Sequence, residues 1–330
     1  LTFKKGPENA VHRLETLIKE LKIRAVKYSR YSAINITVNP EQTENLVVSG
    51  NLYTTGSQIM AAVCVKNREA LETVAAQIDG QVDVALVDHD DAGIAQVELL
   101  NQLLKETVCL NYSDSRAWAW AVEEQTVAAF NGLIKDKNVL IYGQNEKALM
   151  LRNNLQRRGA NVVMLPQTIE SGQANGQSEA AFIPDACIVW HCDETTARKL
   201  VEQVNEKSFV LDAGLGSMTS ETIRQLLQKN ASLVRVNMWP VLSGILLALH
   251  ETHLVKEELR GKATYDDITV ISGGLVGRKG DIVVDNYKQP SHILGVADGE
   301  GRVLTEYDSD TDSKVQRLMG LIYNKLVYQS

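Results

Sequence analysis

The chain has 330 residues, of which 44% are hydrophobic and 23% charged, and its formal net charge is -7. This is ordinary globular composition, and the length predicts two domains, or one large domain with extensions. The lysines and arginines are scattered rather than gathered into one stripe, so nucleic acid is not an expected partner. No apolar run approaches the roughly 20 residues that a membrane span needs, so we expect no membrane association and a cytoplasmic location.

The four cysteines, Cys64, Cys109, Cys187 and Cys192, form no CxxC pair and mostly lie in apolar, strand-like runs. This pattern is typical of buried thiols in a reducing compartment. The chain also contains no HExxH motif or comparable zinc-binding spacing. The sequence therefore predicts neither disulfides nor a zinc site.

The first third of the chain predicts a small α/β domain. Apolar residues recur at helical spacing over residues 8–21, so an amphipathic helix opens this domain. Strand-like runs and further helical segments follow, with strands predicted at residues 33–38, 46–52, 60–65, 82–87 and 108–111 and a helix at residues 68–78. We place this N-terminal α/β domain over residues 1–113 and expect it to bind the substrate.

A long helix rich in alanine is predicted over residues 116–134, with Ser113 and Asp114 at its start. Its tryptophans and other apolar residues predict a largely buried connection between two domains. Strand and helix then alternate for roughly 100 residues, which is the doubly wound pattern. The predicted strands are at residues 138–142, 161–165, 186–190, 209–212 and 232–237, and the predicted helices at residues 146–158, 194–205 and 220–229.

The predicted fold class is therefore α/β with two domains, a doubly wound Rossmann-like parallel sheet and a smaller α/β N-terminal domain. The Rossmann-like domain covers residues 114–312 and ends in a hairpin extension formed by residues 281–285 and 292–296. An amphipathic helix at residues 313–326 is expected to pack back on the first domain.

The turn after the first strand of the Rossmann-like domain is the strongest candidate for cofactor binding. A dinucleotide site needs glycine there, so that a diphosphate can approach the backbone N–H groups at the start of the helix. The sequence offers Gly143, Gln144 and Asn145, with Ala148 at the position of the third glycine of GxGxxG. We expect these four residues to bind NAD or NADP.

Two later glycine pairs are further candidates for cofactor contacts. Gly214 and Gly216 follow a predicted central strand, where the chain lines the nicotinamide side of such sites. Gly273 and Gly274 belong to a mildly basic stretch that suits closure over phosphates. The structural alternative is a plain tight turn for Gly214 and Gly216 and a hairpin corner for Gly273 and Gly274.

An acidic cluster follows a predicted strand of the first domain, at Asp88, His89, Asp90 and Asp91. Open parallel sheets place ligands at the carboxyl ends of their strands. Carboxylates with an imidazole suit general acid-base catalysis or a divalent cation. We therefore predict Asp88 and His89 as catalytic residues and Asp90 as a substrate contact, with a solvated acidic loop as the alternative.

A polar patch at Tyr53, Thr55 and Ser57 ends another strand-like run of the first domain. Its hydroxyl groups suit hydrogen bonds to a polar ligand. We predict Tyr53 as a catalytic residue and Thr55 and Ser57 as substrate contacts.

Residues 136–143 read DKNVLIYG, and residues 155–162 read LQRRGANV. These two segments resemble the motifs GKxVxVxGRS and LLxxGAxV of the methylenetetrahydrofolate dehydrogenases. Residues 208–216 (SFVLDAGLG) and 268–277 (ITVISGGLVG) resemble two further motifs. The resemblance implies hydride exchange between NAD(P) and a one-carbon unit on a pterin, bound between two domains.

The first domain resembles the start of the related methylenetetrahydromethanopterin dehydrogenases, at residues 38–41 (VNPE) and 49–56 (SGNLYTTG). The chain also departs from the pattern, because Gln144 and Asn145 replace an arginine and a serine, and no lysine follows Tyr53 at the family's YxxxK spacing. Because of these departures, the resemblance does not imply that this chain uses the family's catalytic mechanism.

Three functions are consistent with the residues. The first is an NAD(P)-dependent oxidoreductase that acts on a small molecule and forms a homo-oligomer. The second is a non-catalytic relative whose degenerate nucleotide site binds a metabolite or a protein. The third is a metal-dependent hydrolase that uses Asp88, His89 and Asp90.

Overall fold

A computed structural model describes residues 7–90, 93–165, 183–214, 216–256 and 260–328. The chain divides into two compact units, Leu1–Ile245 and Leu246–Ser330. The predicted fold class is confirmed, since the structure is α/β and contains two sheets built mainly from parallel strands. No helix in the described ranges has the length and apolar character of a membrane span.

The first sheet lies at the start of unit 1, in the order β2-β4-β1-β5-β6, with β3 beside β4. Strands β4, β1, β5 and β6 are parallel, and β2 and β3 run antiparallel to β4 at the edge. The elements are α1 (Pro7–Tyr28), β1 (Tyr31–Val38), β2 (Leu46–Val48), β3 (Tyr53–Thr54), β4 (Gln58–Val65), α2 (Arg68–Ile78), β5 (Val84–Asp88), α3 (Gly93–Leu103) and β6 (Val108–Tyr112).

The core of the first sheet follows from the sequence pattern. Strands β1, β4 and β5 are buried almost throughout. Strands β4 and β5 therefore read as nearly continuous apolar runs, whereas β1 buries the polar residues Ser32 and Asn35 among its apolar ones. Their outer-face residues, such as Ile34 and Val87, share one cluster with Leu14 and Leu21 of α1 and Leu71 of α2. Helix α2 has the predicted bounds.

Helix α4 (Asp114–Ala129) leads from the first sheet to the second, and Ser113 caps it by accepting from the Arg116 N–H. The helix is shorter than predicted because Asn131 and Gly132 adopt positive φ angles of 52° and 85° and end it. The prediction of a largely buried helix holds for residues such as Ala117, Val122 and Val127. Trp120, in contrast, is 43% exposed, and Leu133, beyond the helix end, is 75% exposed.

The second sheet is parallel throughout and has the order β11-β10-β9-β7-β8. Its elements are β7 (Asn138–Tyr142), α5 (Glu146–Arg157), β8 (Asn161–Leu165), β9 (Ala186–Val189), α6 (Glu194–Gln203), β10 (Phe209–Asp212), α7 (Ser220–Gln228) and β11 (Ser232–Arg235). The chain moves outward from β7 to β8 and then returns to the other side at β9. This change of direction makes the gap between β7 and β9 the topological switch point.

Two features lie on either side of β8. The sequence predicts that Gly159 ends the helix before β8 in the left-handed cap position, and the structure gives Gly159 a φ of +88°. The sequence also predicts a loop at residues 166–176, which lie outside the described residues.

Unit 2 contains a third sheet of mixed direction, in the order β12-β13-β14-β15-β16. The predicted hairpin is confirmed, since β14 and β15 pair antiparallel. Helix α8 spans the division between the units, and the elements are α8 (Trp239–Leu254), β12 (Lys262–Tyr265), β13 (Ile268–Ser272), β14 (Ile282–Val284), β15 (Ile293–Ala297), β16 (Val303–Leu304) and α9 (Ser309–Tyr328).

Helix α9 packs on the third sheet through Val315, Leu318 and Ile322, which share a core with Ile282 and Val296. The expected packing of residues 313–326 on the first domain stays a prediction, as do the domain ranges 1–113 and 114–312.

Candidate functional site

Helices α4 and α5 run parallel, side by side. Near their starts, Lys147 donates to Asp114, and further along, Arg158 and Asn154 donate to Glu123. Helix α4 begins directly after β6, and α5 follows β7. The parallel pair therefore brings the carboxyl ends of β6 and β7, one from each sheet, to the same end of unit 1.

The turn from β7 to α5 places the predicted cofactor residues at the switch point. Gly143 has φ +137°, a conformation that favours glycine, and a Cβ there would lie 3.1 Å from Trp190 Cβ. Asn145 caps α5, because its Oδ1 atom accepts from the Ala148 N–H at 2.8 Å. The Asn145 amide thus folds onto its own helix, and Gln144 is exposed beside it.

Lys147 is a functional candidate that the sequence analysis did not single out. Its ammonium group lies 2.7 Å from Asp114 Oδ2 and 5.3 Å from the centre of the Trp118 ring. A cation so placed is held by an ion pair and by the aromatic face. The site therefore has a positive charge within the first turn of α5, where helix N–H groups already favour anions.

Trp190 separates the two glycine turns of the second sheet. Its Cβ lies against Gly143, and a Cβ at Gly214 would lie only 2.2 Å from its carbonyl oxygen. Trp190 is buried, whereas the next residue, His191, is exposed. Gly214 is thus required for close packing of the chain, and this packing role accounts for it without any ligand.

Asp212 and Arg235 end the neighbouring strands β10 and β11. The buried Asp212 carboxylate accepts from the Gly216 N–H at 2.8 Å, from Ser217 Oγ at 3.2 Å and from Arg235 Nε at 3.2 Å. Gly216, a predicted cofactor residue, has φ +104°. The sequence motif gave no sign of this arginine, because its carboxylate partner lies on a different strand.

The carboxyl end of β5 carries the predicted acidic cluster. Asp88 is 1% exposed, and its Oδ1 atom accepts from the N–H groups of Asp90 and Asp114 at 3.0 and 3.3 Å. His89 Nε2 lies 3.5 Å from Asp90 Oδ1. Asp91 lies outside the described residues. The Asp88 carboxylate therefore fixes the backbone that starts α4.

Asp90 faces the start of α4, where its Oδ2 atom accepts from Ser113 Oγ and the Ser115 N–H, both at 2.7 Å. Burial raises the pKa of Asp90, but these bonds outweigh it and hold the pKa below its usual value. Asp90 is therefore ionised at neutral pH. Within the described ranges, no three His, Cys, Asp or Glu side chains are arranged to hold a metal ion.

Tyr112 lies beside Asp88 in the register of β5 and β6. Burial raises the pKa of its phenol well above the usual value, and the Asp114 and Asp88 carboxylates raise it further. The Asn35 side chain hydrogen-bonds the phenol from β1. Tyr112 therefore keeps its proton at neutral pH and is a buried hydrogen-bond donor close to the predicted cluster.

Tyr53, Thr55 and Ser57 lie at the other end of the first sheet. They precede β4, and the Ser57 carbonyl accepts from the Tyr31 N–H at the start of β1. The Tyr53 ring stacks on Trp239 with centroids 5.4 Å apart, and Thr55 Oγ1 bonds the Gln58 carbonyl. The structure thus does not bring Tyr53 together with Asp88 and His89.

Gly273 and Gly274 lie in unit 2, in the turn after β13. The Gly273 N–H donates to the Val284 carbonyl, and Gly274 has φ +88°. These contacts belong to the third sheet, and the predicted role of both glycines at the cofactor stays a prediction.

No protein-family model matches this chain, and no curated protein matches it. Solved structures similar in fold include a bifunctional methylenetetrahydrofolate dehydrogenase/cyclohydrolase from Campylobacter jejuni, with 13% identity, 73% of this chain and 94% of that chain covered, and a TM-score of 0.35. The Trypanosoma brucei methylenetetrahydrofolate dehydrogenase-cyclohydrolase, solved with NADP and an inhibitor, is 12% identical over 77% of this chain and 97% of that chain, with a TM-score of 0.37. L-tryptophan dehydrogenase from Nostoc punctiforme is 10% identical over 67% of this chain and 74% of that chain, with a TM-score of 0.38. These likenesses concern the fold.

Proposed function

We propose that the protein is an NAD(P)-dependent oxidoreductase that acts on a small metabolite. The observation that carries this proposal is the geometry at the switch point between β7 and β9, where the Gly143 turn leads into the exposed start of α5. Doubly wound sheets bind dinucleotides at this place, with the diphosphate at the helix N-terminus. When bound, the nicotinamide supplies the hydride chemistry.

The residues at the start of α5 suit a diphosphate. Asn145 and Glu146 are exposed, and the Asn145 side chain is tied to the Ala148 N–H rather than lying across the turn. Lys147 adds a positive charge close to the helix start. A diphosphate at this position would receive backbone N–H groups, the helix dipole and the Lys147 ammonium group.

The substrate side of the proposed site is the carboxyl end of β5 and β6. The ionised Asp90, the half-buried His89 and the buried Tyr112 phenol lie there, at the same end of unit 1 as the β7–α5 turn. Asp88 is a positioning residue in this proposal, because its Oδ1 atom is bound to backbone N–H groups. Tyr53, Thr55 and Ser57 are left outside it.

A one-carbon pterin is the substrate that we propose within this class. The support is the motif resemblance over residues 136–143, 155–162 and 208–216, which include β7, β8 and β10. The choice between NAD and NADP stays open, because no acidic residue or arginine lies within the end of β8 at Met164 and Leu165. A cytoplasmic homo-oligomer is part of the same proposal.

A second candidate is a metabolite-binding protein without nucleotide chemistry. Two contacts favour it: the Ala148 N–H is already satisfied by Asn145, and the Lys147 ammonium group is already paired with Asp114. Both donors would then serve the fold alone. This candidate predicts that nicotinamide nucleotides do not bind at the start of α5.

Titration with NADH and NADPH, followed by nicotinamide fluorescence, tests the proposal. Hydrogen exchange with and without the bound nucleotide then locates it. We expect saturable binding of at least one nucleotide and slower exchange over residues 142–149, with no change over residues 68–78 on the outer side of the first sheet. Absence of binding, or protection that omits residues 142–149, would favour the second candidate.

Oxidation of methylene-tetrahydrofolate, or of its methanopterin analogue, by NAD+ or NADP+ tests the finer proposal. The hydride leaves the one-carbon unit, which becomes the methenyl form, and reduces the nicotinamide, so we expect NADH or NADPH to form only when the one-carbon pterin is present. Nucleotide binding without any such turnover would contradict the pterin assignment and leave the oxidoreductase proposal standing.

A further inference from the structure

Arg235 is the last residue of β11 and lies in register with Asp212, the last residue of β10. Both residues therefore stand at the carboxyl edge of the second sheet, where doubly wound sheets bind ligands. Asp212 is buried, whereas the Arg235 side chain is 58% exposed. The pair thus places an exposed positive charge at the carboxyl edge of the sheet, where the buried Asp212 carboxylate holds it.

Asp212 holds the guanidinium group through a single nitrogen. Its Oδ2 atom accepts from Arg235 Nε at 3.2 Å, and Gly216 and Ser217 bind the same carboxylate. A guanidinium carries five N–H groups in a planar fork. Within the part of the chain that the structure describes, Asp212 is the carboxylate paired with Arg235, so the terminal nitrogens are available to an acceptor from outside.

Gly216 leaves the approach to these terminal nitrogens open. A Cβ at this position would lie 4.0 Å from Arg235 Nη2, and apart from the two adjacent residues of the chain no nearer atom would meet it. The Gly216 N–H binds Asp212, so the same carboxylate fixes both the glycine and the arginine. A planar oxyanion can therefore reach the fork and form two parallel hydrogen bonds.

The strand order decides which part of a ligand Arg235 would meet. β11 lies three strands from β7, and β8 lies on the other side of β7. Strands are about 4.8 Å apart, so Arg235 lies about 14 Å from the diphosphate position at β7. In dinucleotide sites the adenosine ribose lies near the second strand, here β8. Arg235 is therefore on the nicotinamide side and away from any 2′-phosphate of NADP.

We infer that Arg235 binds an anionic group of the substrate, a carboxylate or a phosphate, and that Asp212 positions it. The inference rests on the proposed function, because the nucleotide orientation decides that this anion belongs to the substrate. Arginine suits the role because its fork matches both oxyanions bidentately. The substrate of the proposed oxidoreductase is thus an acid or a phosphate ester rather than a neutral molecule.

Anion binding to R235Q tests this inference. Sodium oxalate and sodium phosphate are titrated separately, at constant ionic strength and with or without saturating NADPH, and the dissociation constants are measured by calorimetry. R224Q is the matched control, since Arg224 is an exposed arginine on α7 paired with Glu221. We expect R235Q to weaken binding of at least one anion about tenfold or more, as a lost charge-assisted bond implies, and R224Q to leave it unchanged.

The two anions distinguish a carboxylate from a phosphate group. Failure of both anions to bind the wild type, or equal binding by R235Q, overturns the inference. A loss of NADPH affinity in R235Q with unchanged NADH affinity also overturns it, because Arg235 would then hold the cofactor phosphate. Nucleotide binding is measured separately, so a chain that binds no nucleotide contradicts the proposed function alone. The anion titrations without nucleotide still test whether Arg235 binds an anion.

Discussion

The carboxyl ends of β5 and β6 carry the carboxylates of Asp88, Asp90 and Asp114, whereas those of β7 and β10 carry glycine turns beside Lys147 and Arg235. Both are carboxyl edges of sheets in unit 1, and α4 and α5 bring the carboxyl ends of β6 and β7 to the same end of that unit. The first edge uses its carboxylates to hold backbone and hydroxyl groups. The second edge has an exposed helix start at Asn145 and an exposed arginine side chain at Arg235. In the proposed function the first edge therefore positions the substrate, and the second edge binds anions.

The largest effect is expected where the second edge is most tightly packed. G214A places a Cβ 2.2 Å from the Trp190 carbonyl oxygen, so the backbone must shift, and we expect a loss of about 3 kcal/mol in the free energy of unfolding. G56A is the control, because no atom lies within 4 Å of its added Cβ and its φ is not positive. Equal urea midpoints for the two variants would show that the Gly214 turn is not closely packed.

A smaller effect is expected from the contact that joins the two edges. D114N removes the charge that Lys147 faces in a partly buried pair, and we expect a loss of about 2 kcal/mol, between the values for exposed and buried pairs. The control D185N weakens the more exposed pair of Lys137 and Asp185, with an expected loss of about 0.5 kcal/mol. If D185N costs as much as D114N, the contact between α4 and α5 does not hold the edges together.

Two helix caps, one in each sheet region, are expected to contribute equally to the free energy of unfolding. N145A removes the cap of α5 and N67A the cap of α2, and each variant is expected to lose about 1 kcal/mol in thermal unfolding. A loss at Asn67 but none at Asn145 would mean that Asn145 does not cap α5 in solution and is free to lie across the Gly143 turn.

The smallest expected effect is the slow alkylation of cysteine thiols in both sheet regions. Burial raises the pKa of Cys109 to about 11 and that of Cys187 to about 12. Burial, with smaller contributions from the Asp193 and Asp212 carboxylates, raises the pKa of Cys192 to about 11. At pH 8 only about one thiol in a thousand or fewer is then a thiolate, so iodoacetamide should label these cysteines very slowly in the native state. Rapid labelling of Cys192, read by mass spectrometry, would show that the chain after β9 is open.

Much of the fold was predictable because local pattern and burial agree. The strands β7, β8 and β10 have the predicted bounds, since short apolar runs between glycine and polar turns leave little choice of boundary. The end of α4 was not predictable from apolar spacing, because Asn131 and Gly132 terminate the helix before Leu133. The cap at Ser113 was correct because an N-cap is a purely local contact.

The candidate site was predictable only where it lies within one turn of chain. Gly143, Asn145 and Ala148 follow from their spacing. Lys147 and Arg235 were missed because their partners, Asp114 and Asp212, come from other elements. Tyr53 and Asp88 were both predicted as catalytic because each ends a strand-like run, and the sequence does not give the direction of a strand in its sheet. The run before Tyr53 is antiparallel to β4, so Tyr53 lies at the opposite end of the sheet from Asp88.

Binding of NADPH to N145D and N67D tests most directly whether the start of α5 receives the diphosphate. Aspartate caps a helix as well as asparagine does, so both variants should fold like the wild type. In N145D the new carboxylate lies at the Ala148 N–H, beside the proposed diphosphate, whereas N67D makes the same change at α2. We predict that N145D weakens NADPH binding about tenfold or more and that N67D leaves it unchanged. Equal affinity in both variants would contradict a dinucleotide at the β7–α5 turn.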